Sequence, residues 1–206
     1  MAKTTVIIWL TLLFLGIIAL FWRNEWVYSL PTPVPENYKA VNPGSTVDAS
    51  WKFKANNNKP LFLHFFNPDC PCSRFNIPHF KSLVKQYGKE VNFGIVVVNN
   101  KDYTAKEVQD KFDIQIPVSF DSSLAASCGV YSTPQAVIIG IDHKLYYRGN
   151  YNKSRYCTDK KTEYAKMALD ALLNKNANIV FDQFAIKAYG CQLPKCSNPG
   201  ERQTLR

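Results

Sequence analysis

Residues 61–75, LFLHFFNPDCPCSRF, join a strand pattern to a cysteine pair and a helix pattern. Leu61–Phe66 is a nearly continuous apolar run, which is typical of a strand buried on both faces of a sheet. Cys70-Pro71-Cys72 comes next, and apolar residues at helical spacing follow over Ser73–Tyr87. The start of a helix offers unpaired backbone N–H groups and a positive dipole end, which stabilise a thiolate. The cysteine pair is therefore predicted to be reactive.

Outward from this stretch, the pattern of strands and helices predicts an α/β domain over residues 60–175. Strand–helix–strand–helix followed by a hairpin and a helix gives a sheet with a parallel half and an antiparallel half. The further predicted strands are 91–98, 118–120, 136–141 and 145–148, and the further predicted helices are 104–112 and 164–173. Residues 176–206 are predicted to be an irregular tail, apart from a short helix or strand at 179–189.

The N-terminus carries 19 uncharged, mostly apolar residues between Lys3 and Arg23. As a helix, residues 4–22 span roughly 28 Å, which is close to the hydrocarbon thickness of a bilayer. No small-residue cleavage site follows, so an uncleaved transmembrane anchor is favoured over a signal peptide. The charge bias at Lys3 favours a cytoplasmic N-terminus with the rest of the chain outside. Residues 23–59, which include PTPVP at 31–35, are predicted to be a tether that can include an N-terminal extension of the domain.

Composition and charge exclude several protein classes. With 46% apolar and 14% aromatic residues, the 206-residue chain is neither disordered nor collagen-like. Six cysteines are too few for a small disulfide scaffold, so some are expected to be present for their reactivity. The net charge is +9, but no segment forms a dense basic block, and Lys160-Lys161 is too short for a nucleic-acid patch. No nucleic-acid partner is therefore predicted.

The chain resembles the thioredoxin superfamily at several offsets. That family has its first redox cysteine after an apolar strand and a short turn, where Cys70 stands, and a proline eight residues later, where Pro78 stands. It also has a cis-proline at the end of a segment similar to GVYSTP (129–134), followed by a hairpin, a glycine such as Gly149 and a last helix. The resemblance covers about residues 60–175 and implies a thioredoxin-like central mixed sheet flanked by helices.

Three positions depart from the family pattern. The second cysteine of the family motif falls on Ser73, so this chain has C-x-C at Cys70 and Cys72. The family tryptophan before the first cysteine is Asp69, whose carboxylate disfavours a thiolate beside it. The buried acidic residue of the family aligns with His64. His64 is either a buried proton acceptor for Cys70 or a satisfied core histidine.

The resemblance implies thiol–disulfide exchange by a membrane-anchored oxidoreductase of the bacterial inner membrane, with its domain on the periplasmic side. Cys70 would attack a substrate disulfide, and either Cys72 or Cys157 would resolve the mixed disulfide. Cys157 is included because the predicted hairpin returns the loop 149–160 to the active-site end of the sheet. The substrate, a protein or small-molecule disulfide or thiol, would lie along the strand edge at Thr133 and Pro134. No cofactor and no metal are required by this reading, and the oligomeric state is not predicted.

The remaining cysteines have simpler expected roles. Cys128 is expected to be a small buried apolar residue. Cys191 and Cys196 are expected to pair with each other and pin the tail, with an exposed shuttle dithiol as the rival role.

Two other functions compete with the oxidoreductase reading. A Cu(I) metallochaperone would bind the soft metal through Cys70 and Cys72 with a histidine, although no histidine is evidently placed as third ligand. A redox-inert thioredoxin-like binding domain is the other candidate, because Ser73 replaces the usual second cysteine. A peroxidase of peroxiredoxin type does not fit, because the residues before Cys70 lack the motif of that family.

Overall fold

The computed structural model of the protein describes residues 2–26, 29–49, 52–53, 58–99, 101–174 and 179–194. It begins with helix α1 (Ala2–Phe21), which continues into a π-helical turn over Trp22–Trp26. The apolar stretch Lys3–Phe21 is long enough to cross a membrane and makes no buried contact with the rest of the protein. A helix with these properties serves as a membrane anchor or as a signal sequence.

The other elements follow the predicted α/β order and include three short ones that the sequence pattern did not predict. The strands are β1 (Leu61–Phe66), β2 (Asn92–Val97), β3 (Val118–Ser119), β4 (Ser132–Thr133), β5 (Gln135–Ile139), β6 (Leu145–Gly149) and β7 (Cys191–Gln192). The helices are α2 (Pro71–Tyr87), α3 (Ala105–Phe112), α4 (Ser123–Cys128), α5 (Tyr164–Leu173) and α6 (Gln183–Ile186). Apart from a 3₁₀ turn at Lys160–Thr162, the three unpredicted elements are α4, β4 and β7.

Five strands form the central sheet in the order β3-β2-β1-β5-β6. The β1, β2 and β3 strands are parallel, whereas β5 runs antiparallel to both β1 and β6. Every residue of the central strand β1 is buried, as its continuous apolar pattern predicts. The predicted mixed sheet is therefore confirmed, and the fold is thioredoxin-like.

Alternation along β1 divides the core between the two faces of the sheet. Phe62, His64 and Phe66 point to one face, where Phe62 and Phe66 join the apolar residues of α2 and α5. Leu61, Leu63 and Phe65 point to the other face, where α4 and the side chains of Val47, Ala49 and Phe53 cover them. The site therefore rests on a strand that is fixed by packing on both sides.

Part of the segment expected to be a tether packs against this second face. Val47, Ala49 and Phe53 are buried there. The backbone N–H of Gly44 donates a hydrogen bond of 2.7 Å to the carbonyl of Leu145, and Thr46 forms a β-bridge with Lys144. Residues 41–49 thus extend the domain beyond β6, while residues 54–57 lie outside the described part of the chain.

Candidate active site

The cysteine pair lies at the start of α2, as predicted. Cys70 is the extended residue immediately before the helix, and its carbonyl accepts a hydrogen bond of 3.1 Å from the N–H of Arg74. Pro71 opens the helix, where a proline loses nothing because the first N–H has no partner within a helix. Cys72 follows in the first turn, and both cysteines are buried. The local sequence therefore fixes two sulfur atoms at the positive end of a long helix.

Cys70 forms a disulfide with Cys191, and their Cα atoms are 6.2 Å apart. The expected pairing of Cys191 with Cys196 is therefore wrong. The pairing of Cys191 with Cys70 was not predicted because it depends on β7, which carries Cys191. This strand pairs antiparallel with β4 and places Cys191 opposite Thr133. A strand of two residues leaves no periodic signal in the sequence. Cys196 itself lies outside the described residues.

The bond between Thr133 and Pro134 is a cis peptide, as the resemblance implied. The Cys70 sulfur lies 3.7 Å from the Thr133 carbonyl oxygen, so Cys70 and this peptide are in contact. The substrate was expected along the strand edge at Thr133 and Pro134. In the structure, β7 of the same chain pairs with this edge, which belongs to β4. The role of Thr133 and Pro134 in binding substrate stays a prediction.

Cys72 is in the thiol form and close to the disulfide. The sulfur atoms of Cys70, Cys72 and Cys191 all lie within 4.8 Å of one another. On its other side, Cys72 lines a cavity of about 300 Å³ that Pro134 and Cys157 also line. The cavity connects the three-sulfur cluster to the loop after β6.

Cys157 also remains a thiol, in the loop predicted to return toward the active site. The side-chain amide of Asn76, one turn beyond Cys72 on α2, donates a hydrogen bond of 3.1 Å to its sulfur. Burial raises the pKa of Cys157 to about 12. The loop therefore approaches the site as expected, but its thiol is strongly disfavoured from ionising. A bridge from Cys157 to Cys70 or Cys72 stays a prediction.

His64 is fully buried in β1, where it contacts the side chains of Tyr151 and Phe80. Its Nδ1 lies 2.6 Å from the hydroxyl of Tyr151, and its ring stacks on Phe80 with a centroid separation of 4.4 Å. Burial lowers the pKa of His64 to about 3, so the ring is neutral at neutral pH. Among the described residues, its Nε2 has no hydrogen-bond partner. The contacts of Nδ1 and of the ring fit a core histidine, whereas the buried Nε2 is not satisfied by them, and a role as proton acceptor stays a prediction.

The surroundings of Asp69 offset its expected effect on Cys70. Asn99 and Tyr103 donate hydrogen bonds of 3.0 and 2.9 Å to its carboxylate, and the Lys101 ammonium lies 3.0 Å away. These contacts, the Asn99 hydrogen bond first, hold the pKa of Asp69 at about 2. The carboxylate is ionised, but a neighbouring cation balances its charge, so its penalty on a Cys70 thiolate is reduced.

Ser73 stabilises the turn instead of supplying a sulfur. It is fully buried, and its hydroxyl accepts a hydrogen bond of 3.3 Å from the backbone N–H of Asn67. Cys128 is also fully buried, on the opposite face of the sheet, and burial raises its pKa to about 12. The expected role of Cys128 as an apolar core residue agrees with this position.

The family model described as a domain of unknown function, DUF6436, matches residues 43–194. The chain belongs to this family. The matched range begins in the segment that packs beside β6 and ends just after β7, so the family domain contains Cys70, Cys72, Cys157 and Cys191. No curated protein sequence matches the chain.

Solved structures agree with this fold. A hypothetical protein from Sinorhizobium meliloti 1021 is 16% identical, with a TM-score of 0.60 over 76% of this chain and 96% of that one. An uncharacterized conserved protein from Geobacillus kaustophilus is 21% identical, with a TM-score of 0.58 over 82% of this chain and 100% of that one. A putative thiol:disulfide interchange protein DsbE from Chlorobium tepidum is 18% identical, with a TM-score of 0.45 over 53% of this chain and 85% of that one. At these identities the likeness to the first two structures concerns the fold alone.

Proposed function

We propose that the protein is a membrane-anchored thiol–disulfide oxidoreductase that acts on exported proteins. The observation that carries the proposal is the position of Cys70. It stands at the start of α2, 3.7 Å from the Thr133 carbonyl, and is bonded to a cysteine on an extended segment paired with β4. Cys70, the proposed nucleophile, thus lies beside the edge of β4, and that edge binds an extended segment that carries a cysteine.

The exchange reaction needs a nucleophile and a resolving thiol. The Cys70 thiolate attacks one sulfur of a substrate disulfide, forms a mixed disulfide and releases the other sulfur as a thiolate. A second thiolate of the protein then attacks the Cys70 sulfur, forms an internal disulfide and releases the remaining substrate sulfur. Of the two thiols expected from sequence, Cys72 fits better, because a pKa of about 12 keeps Cys157 protonated at neutral pH.

The location and domain plan are part of the same proposal. Residues 4–22 anchor the protein in the bacterial inner membrane and 23–59 connect the anchor to the thioredoxin-like domain at 60–175, with 176–206 as the tail. The exposed apolar helix supports the anchor, and a disulfide in the domain suits an oxidising periplasm. The partners are then protein or small-molecule disulfides and thiols on that side of the membrane.

The test is a disulfide-exchange assay with the full-length protein in detergent. Insulin serves as a model protein disulfide, and dithiothreitol serves as the reductant. We expect Cys70→Ser to abolish catalysed reduction, while Cys128→Ala leaves it unchanged because Cys128 is buried on the opposite face of the sheet. Equal rates for wild type and Cys70→Ser would refute the proposal and favour a redox-inert binding domain.

A second candidate function, Cu(I) binding, is favoured by the three-sulfur cluster. Soft thiolates select Cu(I), and reduction of the Cys70–Cys191 disulfide would leave three such ligands within 4.8 Å of one another. Among the described residues, no histidine belongs to this group, so Cys191 replaces the histidine expected from sequence. Titration of the reduced protein with Cu(I) against a competing chelator tests it. Binding of one equivalent, lost in Cys191→Ser, would support this function, and no binding would reject it.

A further inference from the structure

The tail segment that carries Cys191 is bound at the site as an extended peptide. Thr133 lies opposite Cys191 and Ser132 opposite Gln192 in the antiparallel pair of β4 and β7. The Ser132 hydroxyl donates a hydrogen bond of 3.2 Å to the Cys191 carbonyl, and the N–H of Leu193 donates one of 3.4 Å to the Tyr131 carbonyl. A substrate strand that added to the edge of β4 would need the same backbone groups. Substrate and β7 therefore compete for one edge.

The segment before β7 is also held by groups outside that edge. The side-chain amide of Asn150 donates hydrogen bonds of 2.7 and 2.6 Å to the carbonyls of Phe184 and Lys187. The N–H of Thr32 donates another, of 2.9 Å, to the carbonyl of Ala188, which is fully buried. Residues 183–188 can thus stay docked while β7 leaves β4.

Gly190 lies at the junction between the fixed segment and β7. Its φ is +147°, a conformation that side chains with a Cβ rarely adopt, and a Cβ there would overlap the Thr133 carbonyl. Beyond it, Gln192 is exposed, and Cys191 and Leu193 are only partly buried. Release of β7 therefore needs a change at Gly190, the loss of a two-residue ladder, and the loss of the hydrogen bonds from the Ser132 and Thr32 hydroxyls to the carbonyls of Cys191 and Gly190.

From this placement we propose that Cys191 is the resolving cysteine of the site, and that β7 displaces the substrate strand as it resolves. The inference rests on the proposed exchange function. After Cys70 has formed a mixed disulfide with a substrate sulfur, the Cys191 thiolate attacks the Cys70 sulfur. The Cys70–Cys191 bond forms, the Cys70–substrate bond breaks, and the substrate sulfur leaves as a thiolate that takes a proton from water. The substrate disulfide gains the two electrons that the Cys70 and Cys191 thiols lose.

Cys191 fits this step better than the two thiols expected from sequence. A bridge between Cys70 and Cys72 closes a small ring, which strains a disulfide. Cys157 is held protonated by burial. Cys191, by contrast, is bonded to Cys70 with a Cα separation of 6.2 Å, inside the range of unstrained disulfides. The bonded state corresponds to the oxidised end of the reaction.

The experiment measures which variant fails to release substrate. Full-length wild type, Cys191→Ser, Cys72→Ser and Cys157→Ser are reduced, freed of reductant and mixed with the symmetrical disulfide of a synthetic single-cysteine peptide. After acid quenching, mass spectrometry measures the peptide bound to Cys70. We expect several-fold accumulation in Cys191→Ser alone. Accumulation in Cys72→Ser or Cys157→Ser that equals or exceeds it would overturn the inference. No adduct in any variant would mean that Cys70 is unreactive, and the proposed function would fail with it.

A second pair of variants tests the competition between β7 and substrate without removing a thiol. Gly190→Ala places a Cβ against Thr133 and disfavours the docked strand, whereas Gly44→Ala adds a Cβ at another glycine of positive φ (+88°) with nothing within 4 Å. We expect the Cys70–peptide adduct to accumulate in Gly190→Ala and to stay at the wild-type level in Gly44→Ala. An adduct level in Gly190→Ala that matches wild type would overturn the displacement by β7.

Discussion

Loss of the Cys70–Cys191 disulfide should lower the free energy of unfolding of the domain. The size of the loss depends on the length of the loop that the disulfide closes, so it distinguishes this pairing from others. The two cysteines are 121 residues apart. In the chain-entropy treatment, a closed loop of 121 residues contributes about 5 kcal/mol at 25 °C, chiefly by restricting the unfolded chain. A bond between Cys191 and Cys196 would close a loop of only five residues and contribute about 2 kcal/mol. The two pairings therefore predict different losses.

The assay is urea unfolding of the full-length protein in detergent, followed by near-ultraviolet circular dichroism of buried tyrosines such as Tyr151. The free energy of unfolding is obtained by linear extrapolation. We expect Cys191→Ser and Cys70→Ser each to lower it by about 5 kcal/mol relative to the oxidised wild type. The double variant should lose no more than either single variant, because both remove the same bond. Cys196→Ser should leave it unchanged.

Three results would refute this reasoning. A loss near 2 kcal/mol in Cys191→Ser, with the same loss in Cys196→Ser, would restore the pairing expected from the sequence. Additive losses in the double variant would mean that Cys70 and Cys191 act separately. An unchanged free energy in Cys70→Ser would mean that its sulfur is not cross-linked in the folded protein.

Three further predictions concern residues around the sheet. Because burial lowers the pKa of His64 from 6.5 to about 3, the unfolded chain binds a proton in this window that the folded chain does not. The free energy of unfolding should thus fall by about 1 kcal/mol per pH unit as the pH drops from 6.5 toward 3. If His64→Phe shows the same pH slope as the wild type, this prediction is wrong. Cys157→Ser should retain wild-type insulin reduction at pH 7, and a loss equal to that of Cys70→Ser would contradict this. Phe80→Ala should lower the free energy of unfolding by about 3–5 kcal/mol, since its ring is fully buried, whereas exposed Phe120→Ala should not change it.

The long elements of the domain could be predicted because each has a buried face of several turns or several residues. Leu61–Phe66 matches β1 residue for residue, since a strand covered on both sides must be apolar throughout. The α2 helix begins at Pro71, two residues before the predicted start, because a proline is tolerated in the first turn where the apolar spacing has not begun. The cis peptide before Pro134 followed from the family resemblance alone.

The centre of the site could not be predicted because its partners are short and distant in sequence. The β4 and β7 strands have two residues each, and α4 has only the six residues SLAASC, so none of them shows a readable period. The pairing of Cys191 with Cys70 depends on a strand contact across 121 residues. Cysteine spacing alone favours the nearer partner, which was the wrong one.

The extent of the family domain bears on how Cys191 should be interpreted. The range that matches the family contains Cys191 and ends at residue 194, before Cys196. A tail pinned only by a local bridge would need both cysteines, and it would have no reason to lie on the edge of β4. A cysteine that acts on Cys70 needs only β7, the β4 edge and the fixed segment at 183–188, all of which lie inside the range. The boundary therefore agrees with the pairing of Cys191 with Cys70 and not with a local bridge to Cys196.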